Sequence, residues 1–292
     1  MIDTASPGER RSPVRVLWPK EHGAYGQLLF PLGTALVLGP RLGAVALAGA
    51  CVAGFVGHEA VLTLLGQRGG RLARNRRRDA IVSLACCATL ATALGAWAVV
   101  QMAPASRPFV ALPVALAMTL AIFISTGREH STMGEIVAAI ALSSCGVPVA
   151  LAGAVPASRA LTCWLVFALS FTLATLAVRS TIARAKNTRA GGPGFPSSTL
   201  RSTAASSTAL RTGRAGNRIG TTVWLASATI ALSLVAASRG WIAPAAPFAL
   251  LPVCGMAVGL SLFPPHPRRL RTVGWLLVTA TAVTAIVLAT AR

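Results

Sequence analysis

Residues 42–65 read LGAVALAGACVAGFVGHEAVLTLL. The stretch from Leu42 to Gly57 carries no charge, and the whole run exceeds the ~20 residues that a helix needs to cross a ~30 Å hydrocarbon layer. A helix is the form to expect, because a lone strand in lipid leaves its backbone N–H and C=O groups unpaired. Near the end stands His58-Glu59, an ionisable pair in an apolar segment, and such groups are costly in a bilayer and usually functional. Gly54 and Gly57, just ahead of the pair, are small enough to let another helix approach closely.

Outward from this run the pattern repeats. Further apolar runs cover residues 25–40, 80–102, 109–126, 135–154, 160–178, 220–238, 243–263 and 272–290, the first being short. Across the 292 residues 54 % are hydrophobic and 12 % charged, with a mean hydropathy of +0.67. A soluble domain carries about 25 % charged residues. The expectation is an all-α fold, a polytopic transmembrane bundle of about nine helices. Pro31, Pro113, Pro148 and Pro252 fall inside runs and kink helices rather than end them.

The net charge is +20, from 27 basic and 7 acidic residues. The basic residues lie between apolar runs, so they read as a topology signal and not as a nucleic-acid surface. With the N-terminus inside, 22 of them fall in inside segments and only Arg41, Arg107, Arg159, Arg239 and Arg292 outside. Cytoplasmic loops hold the Lys/Arg excess. The N-terminus is therefore expected in the cytoplasm and the C-terminus outside. The organisation is a cytoplasmic segment 1–24, helices one to six over 25–178, a flexible basic cytoplasmic loop 179–219 and helices seven to nine over 220–292. The basic loops face anionic lipid headgroups, and the bilayer is the main partner. Trp18, Trp97, Trp164, Trp224, Trp241 and Trp275 sit near span ends, as an aromatic belt requires. The six cysteines lie in apolar runs without metal-ligand spacing and read as small fillers.

Chemistry is concentrated in seven acids and four histidines. Three histidines adjoin a glutamate: Glu21-His22, His58-Glu59 and Glu129-His130. Glu135 follows the last pair, and His266 stands among prolines and arginines. All fall on the cytoplasmic side of the expected topology. A carboxylate beside an imidazole orients the ring, raises its basicity or shares a metal, and the two together supply general acid–base catalysis. The candidate catalytic set is thus Glu21, His22, His58, Glu59, Glu129 and His130, with Lys20, Arg128 and Glu135 as substrate contacts. The pattern names no cofactor and no metal.

Two of the pairs belong to a repeat. Residues 20–27, KEHGAYGQ, align with residues 128–135, REHSTMGE, as basic-Glu-His-x-x-x-Gly-Gln/Glu ahead of an apolar helix. An offset of four expected helices makes this a parallel repeat, two four-helix halves plus a ninth helix.

The run Trp18-Pro19-Lys20-Glu21-His22-Gly23-Ala24-Tyr25 resembles the opening signature of the YwiC-like family, and a weaker likeness extends over the first two helices and the basic loop after them. The resemblance implies a multi-pass bacterial inner-membrane protein and transfers no catalytic residue. The architecture is also similar to UbiA-type prenyltransferases. Those bind a diphosphate through Mg²⁺ on two Asp-rich motifs, whereas Asp79 is the only aspartate here after Asp3. Three readings of function remain: an intramembrane enzyme or binder of a lipophilic substrate, favoured; a small-solute or proton-coupled transporter; and an accessory or assembly protein of a membrane complex. Charge-free helix centres argue against an ion pathway.

Overall fold

Each of the nine apolar runs forms helix in the computed structural model, which describes residues 22–67, 70–128, 131–190, 204–263 and 270–291. The helices are α1 (His22–Leu38), α2 (Leu42–Leu64), α3 (Gly70–Asn75), α4 (Arg77–Gln101), a 3₁₀ turn (Pro104–Val110) leading into α5 (Ala111–Ser125), α6 (Thr132–Ser144), α7 (Gly146–Ala152), α8 (Ala157–Ala190), α9 (Ala204–Ser238), α10 (Ala245–Leu262) and α11 (Leu270–Thr290). Among the described residues eight segments are long and apolar enough to cross a membrane, and α1 is a shorter ninth. The protein is a multi-pass helical membrane protein.

Three departures from the sequence reading have physical causes. The fifth run is interrupted at Cys145, between α6 and α7. Pro148 lacks the N–H that would bond the Ser144 carbonyl, and its ring crowds that carbonyl. The sixth helix does not stop at Val178. It continues to Ala190, and α9 starts at Ala204, well before Gly220. The residues added to α8 are largely Ala, Arg and Lys, strong helix formers that hydropathy alone passes over. Arg179 is therefore helical, not the first residue of a loop. The short α3, inside the basic segment after α2, was not foreseen either.

The described residues divide into two compact units. One is Gly49–Ala96, in which α2 meets α4 through small residues. A Cβ added to Gly57 would stand 3.1 Å from Cys87 Cβ, and one on Gly49 would stand 3.2 Å from Leu94 Cδ1. Gly54, expected to share this role, has open space instead. The other unit holds residues 22–48 and 97–291. The division does not follow two four-helix halves. Its core forms where α8, α9, α10 and α11 pack, around Phe167, Phe171, Leu250 and Cys254. Phe167 and Phe171 stack at 5.9 Å between ring centroids. Thr284 Oγ1 on α11 donates to the Ala249 carbonyl on α10 at 2.7 Å, a cross-helix bond of the kind that joins helices in lipid. The backbones of Gly39 and Gly153 meet so closely that a Cβ on either would collide with the other's carbonyl. That contact fixes the far end of α1 against α7.

Candidate functional site

The site is built from the first turn of α6. Ser131 caps this helix, its Oγ accepting from the Gly134 N–H at 3.0 Å. Glu135 follows one residue later, where the positive end of the helix dipole favours a carboxylate. The neighbouring helix α8 runs the other way, so its C-terminal half comes to the start of α6 and brings Arg179. The guanidinium and carboxylate pair in a two-pronged fashion. Arg179 Nε donates to Glu135 Oε2 at 2.6 Å and Nη2 to Oε1 at 2.7 Å, while Nη1 donates to Thr132 Oγ1 at 3.0 Å. About a third of each side chain is exposed, 32 % for Arg179 and 39 % for Glu135. The planar fork of Arg matches a carboxylate in a way that Lys cannot.

This pair lines a cavity of about 1000 Å³, at the upper end of small-molecule sites. Five helices contribute: the start of α1, the start of α6, the second half of α8, α9 from Thr221 to Leu225, and α11 from Gly274 to Thr281. The contributions run from the starts of α1, α6 and the α9 span to the middle of α8 and α11. Phe30, Phe171, Leu176, Leu225 and Leu277 are among its apolar lining. Gln27, Thr132, Thr175, Ser180 and Thr222 add uncharged polar groups to the lining, of which Thr132 bonds the ion pair directly. Two hydroxyls already donate within their own helices, Ser180 to the Ala177 carbonyl and Thr281 to the Leu277 carbonyl, both at 2.8 Å. Each hydroxyl is left with its lone pairs to offer. Pro31, inside α1, has no N–H to give the Gln27 carbonyl four residues earlier.

The repeat gains a structural meaning here. Its eighth positions, Gln27 and Glu135, stand on α1 and α6, which pack together and line the same cavity. Of the other sequence-nominated residues, Lys20, Glu21, Glu129, His130 and His266 lie outside the described residues. His22 opens α1, and its side chain is likewise outside them. Arg128 is exposed in the turn before α6, where its N–H donates to the Phe123 carbonyl at 2.9 Å. His58 and Glu59 belong to the other compact unit. Glu59 is buried there at 5 % exposure, and its backbone carbonyl accepts from Thr63 Oγ1 at 2.9 Å. Among the described residues no group of three His, Cys, Asp or Glu side chains could hold a metal.

The residue that sequence reasoning missed is Arg179, assigned to the loop because it follows the last apolar residue of its run. A signal existed: Glu135 opens one span and Arg179 closes the next, and consecutive antiparallel helices bring such positions together.

Residues 18–151 match the model of a family described as YwiC-like protein. The match takes in Gln27, Thr132 and Glu135 and ends ahead of Arg179. No curated protein and no solved structure matches the chain.

Proposed function

We propose, from the match of residues 18–151 to the YwiC-like family model, that the chain is a YwiC-like membrane protein that binds, or acts as an enzyme on, an amphiphilic molecule. The observation that carries this reading is the cavity around Glu135 and Arg179. Its lining combines many apolar side chains with an ion pair and several uncharged polar groups, the combination expected of a site that takes a tail and recognises a head. The side of entry is inferred from charge. The cavity belongs to the end bearing the basic loops, so by the positive-inside rule it faces the cytoplasm of a bacterial cell, with the C-terminus outside. Arg77 and Arg78, exposed at the start of α4, would meet anionic headgroups at a membrane surface.

In this reading Glu135 and Arg179 are substrate contacts. Glu21 and His22, at the start of α1 in sequence, and Glu129 and His130, just ahead of α6, remain the proposed acid–base groups, with Lys20 and Arg128 as proposed substrate contacts. His58 and Glu59 remain proposed on their burial and chemistry. One observation favours a second reading, a carrier of small neutral solutes. The α6–α7 interruption lies within a span beside the buried Ser143 and Ser144, and broken helices mark transporter sites.

The test is native mass spectrometry of the detergent-purified protein beside Ala174→Trp, which fills the cavity wall. A lipophilic species carried by the wild type and lost in the variant is the expected result. No bound species in the wild type, together with uptake of a neutral solute by reconstituted vesicles, would replace this reading with the second.

A further inference from the structure

Glu135 and Arg179 are the only charged residues among the described residues that line the cavity. Each carboxylate oxygen takes one hydrogen bond from the guanidinium, at 2.6 and 2.7 Å, so the pair presents a dipole and no net charge. Glu135 and Thr132 take three of the five guanidinium N–H groups of Arg179, so an anionic head at this arginine would sit against the Glu135 carboxylate, or displace it and lose both charge-assisted bonds. A cationic head meets the mirror-image obstacle. The neighbouring polar groups are all neutral. Gln27 offers both amide donor and acceptor, and its backbone carbonyl has no donor from Pro31. Thr132 Oγ1 accepts from Arg179, which directs its own proton elsewhere. Ser180 and Thr281 offer acceptors, their protons being held by their own helices.

We propose that the cavity selects an amphiphile with an uncharged head, a hydroxyl or carbonyl, read by Gln27 and the hydroxyls around it, while the Glu135–Arg179 pair turns away charged heads. This rests on the amphiphile-binding reading above and narrows it to a substrate class. It also gives the repeat a division of labour: the neutral copy, Gln27, contacts the head, and the charged copy, Glu135, is neutralised by Arg179.

The test uses two lipids with identical tails, dioleoylglycerol and dioleoyl phosphatidic acid, offered at equal concentration to the delipidated protein and read by native mass spectrometry. The wild type is expected to retain the diacylglycerol about tenfold better, a difference of one hydrogen-bonded head. Glu135→Gln exposes the charge of Arg179 and is expected to reverse the preference. Gln27→Leu, which leaves the ion pair intact, is expected to lower diacylglycerol retention while leaving the phosphatidic acid level unchanged, and it keeps the test alive if the first variant does not fold. Equal retention of both lipids, or preference of the wild type for phosphatidic acid, overturns the head-group inference and leaves amphiphile binding standing. Retention of neither lipid overturns both.

Discussion

Glu135 and Arg179 are a third exposed, so their pair is weaker than a fully buried one and stronger than a surface bridge. Removing one partner leaves a charge at the edge of an apolar bundle. Arg179→Gln is expected to cost about 1–2 kcal/mol, between the surface and buried limits. The double variant Glu135→Gln/Arg179→Gln should recover part of that loss, as partners in one network do. Thermal unfolding of the two singles and the double in detergent measures the coupling; additive losses would mean that the two side chains do not interact. Ser131→Ala removes the α6 cap and should cost about 1 kcal/mol in the same assay. At this scale the sequence disclosed half of the pair. Glu135 stood out because acids are so few. Arg179 was hidden among 27 basic residues, most of which only mark topology, and it took the packing of α6 on α8 to single it out.

At the scale of the element, hydropathy located the spans and missed what propensity adds at their ends. The α8 helix continues through charged residues to Ala190 because Ala, Arg and Lys favour helix whether or not lipid surrounds them. Contacts between elements were less legible, because a glycine in sequence does not say which neighbour needs its space. Gly39 and Gly153 read as ordinary small residues, yet each leaves room for the other's backbone. A Cβ added to Gly33, in the same helix α1, would meet open space. Gly39→Ala is expected to destabilise by about 1–3 kcal/mol through overpacking. Gly33→Ala should be neutral or stabilise by up to about 1 kcal/mol, since Ala is the better helix former. Equal effects in a thermal scan would contradict the close approach. The same contrast applies in the other compact unit, where Gly57→Val should weaken the α2–α4 contact and Gly54→Val should not.

For the whole molecule, composition and loop charge were enough to give a multi-pass helical membrane protein. Each apolar run appears as helix, and the alternation of basic loops needs every span to be counted correctly. The cavity was not legible at that scale. It draws on five helices distant in sequence, and no periodicity announces that α1, α6, α8, α9 and α11 leave space between their ends. The repeat of residues 20–27 and 128–135 was the nearest clue, and its eighth positions do share that space. Fusion reporters supply a first check of orientation: one after Arg292 should lie outside and one between residues 191 and 203 inside.

In the proposed function the cavity opens to the cytoplasmic side of the membrane bundle and holds a lipophilic ligand. This is tested most directly by Gln27→Cys in a background whose six native cysteines are replaced by alanine. The account predicts that a membrane-impermeant maleimide labels this residue in inside-out vesicles, that right-side-out vesicles leave it unlabelled, and that added dioleoylglycerol slows the labelling. Labelling from the outside, or from neither side, would contradict it.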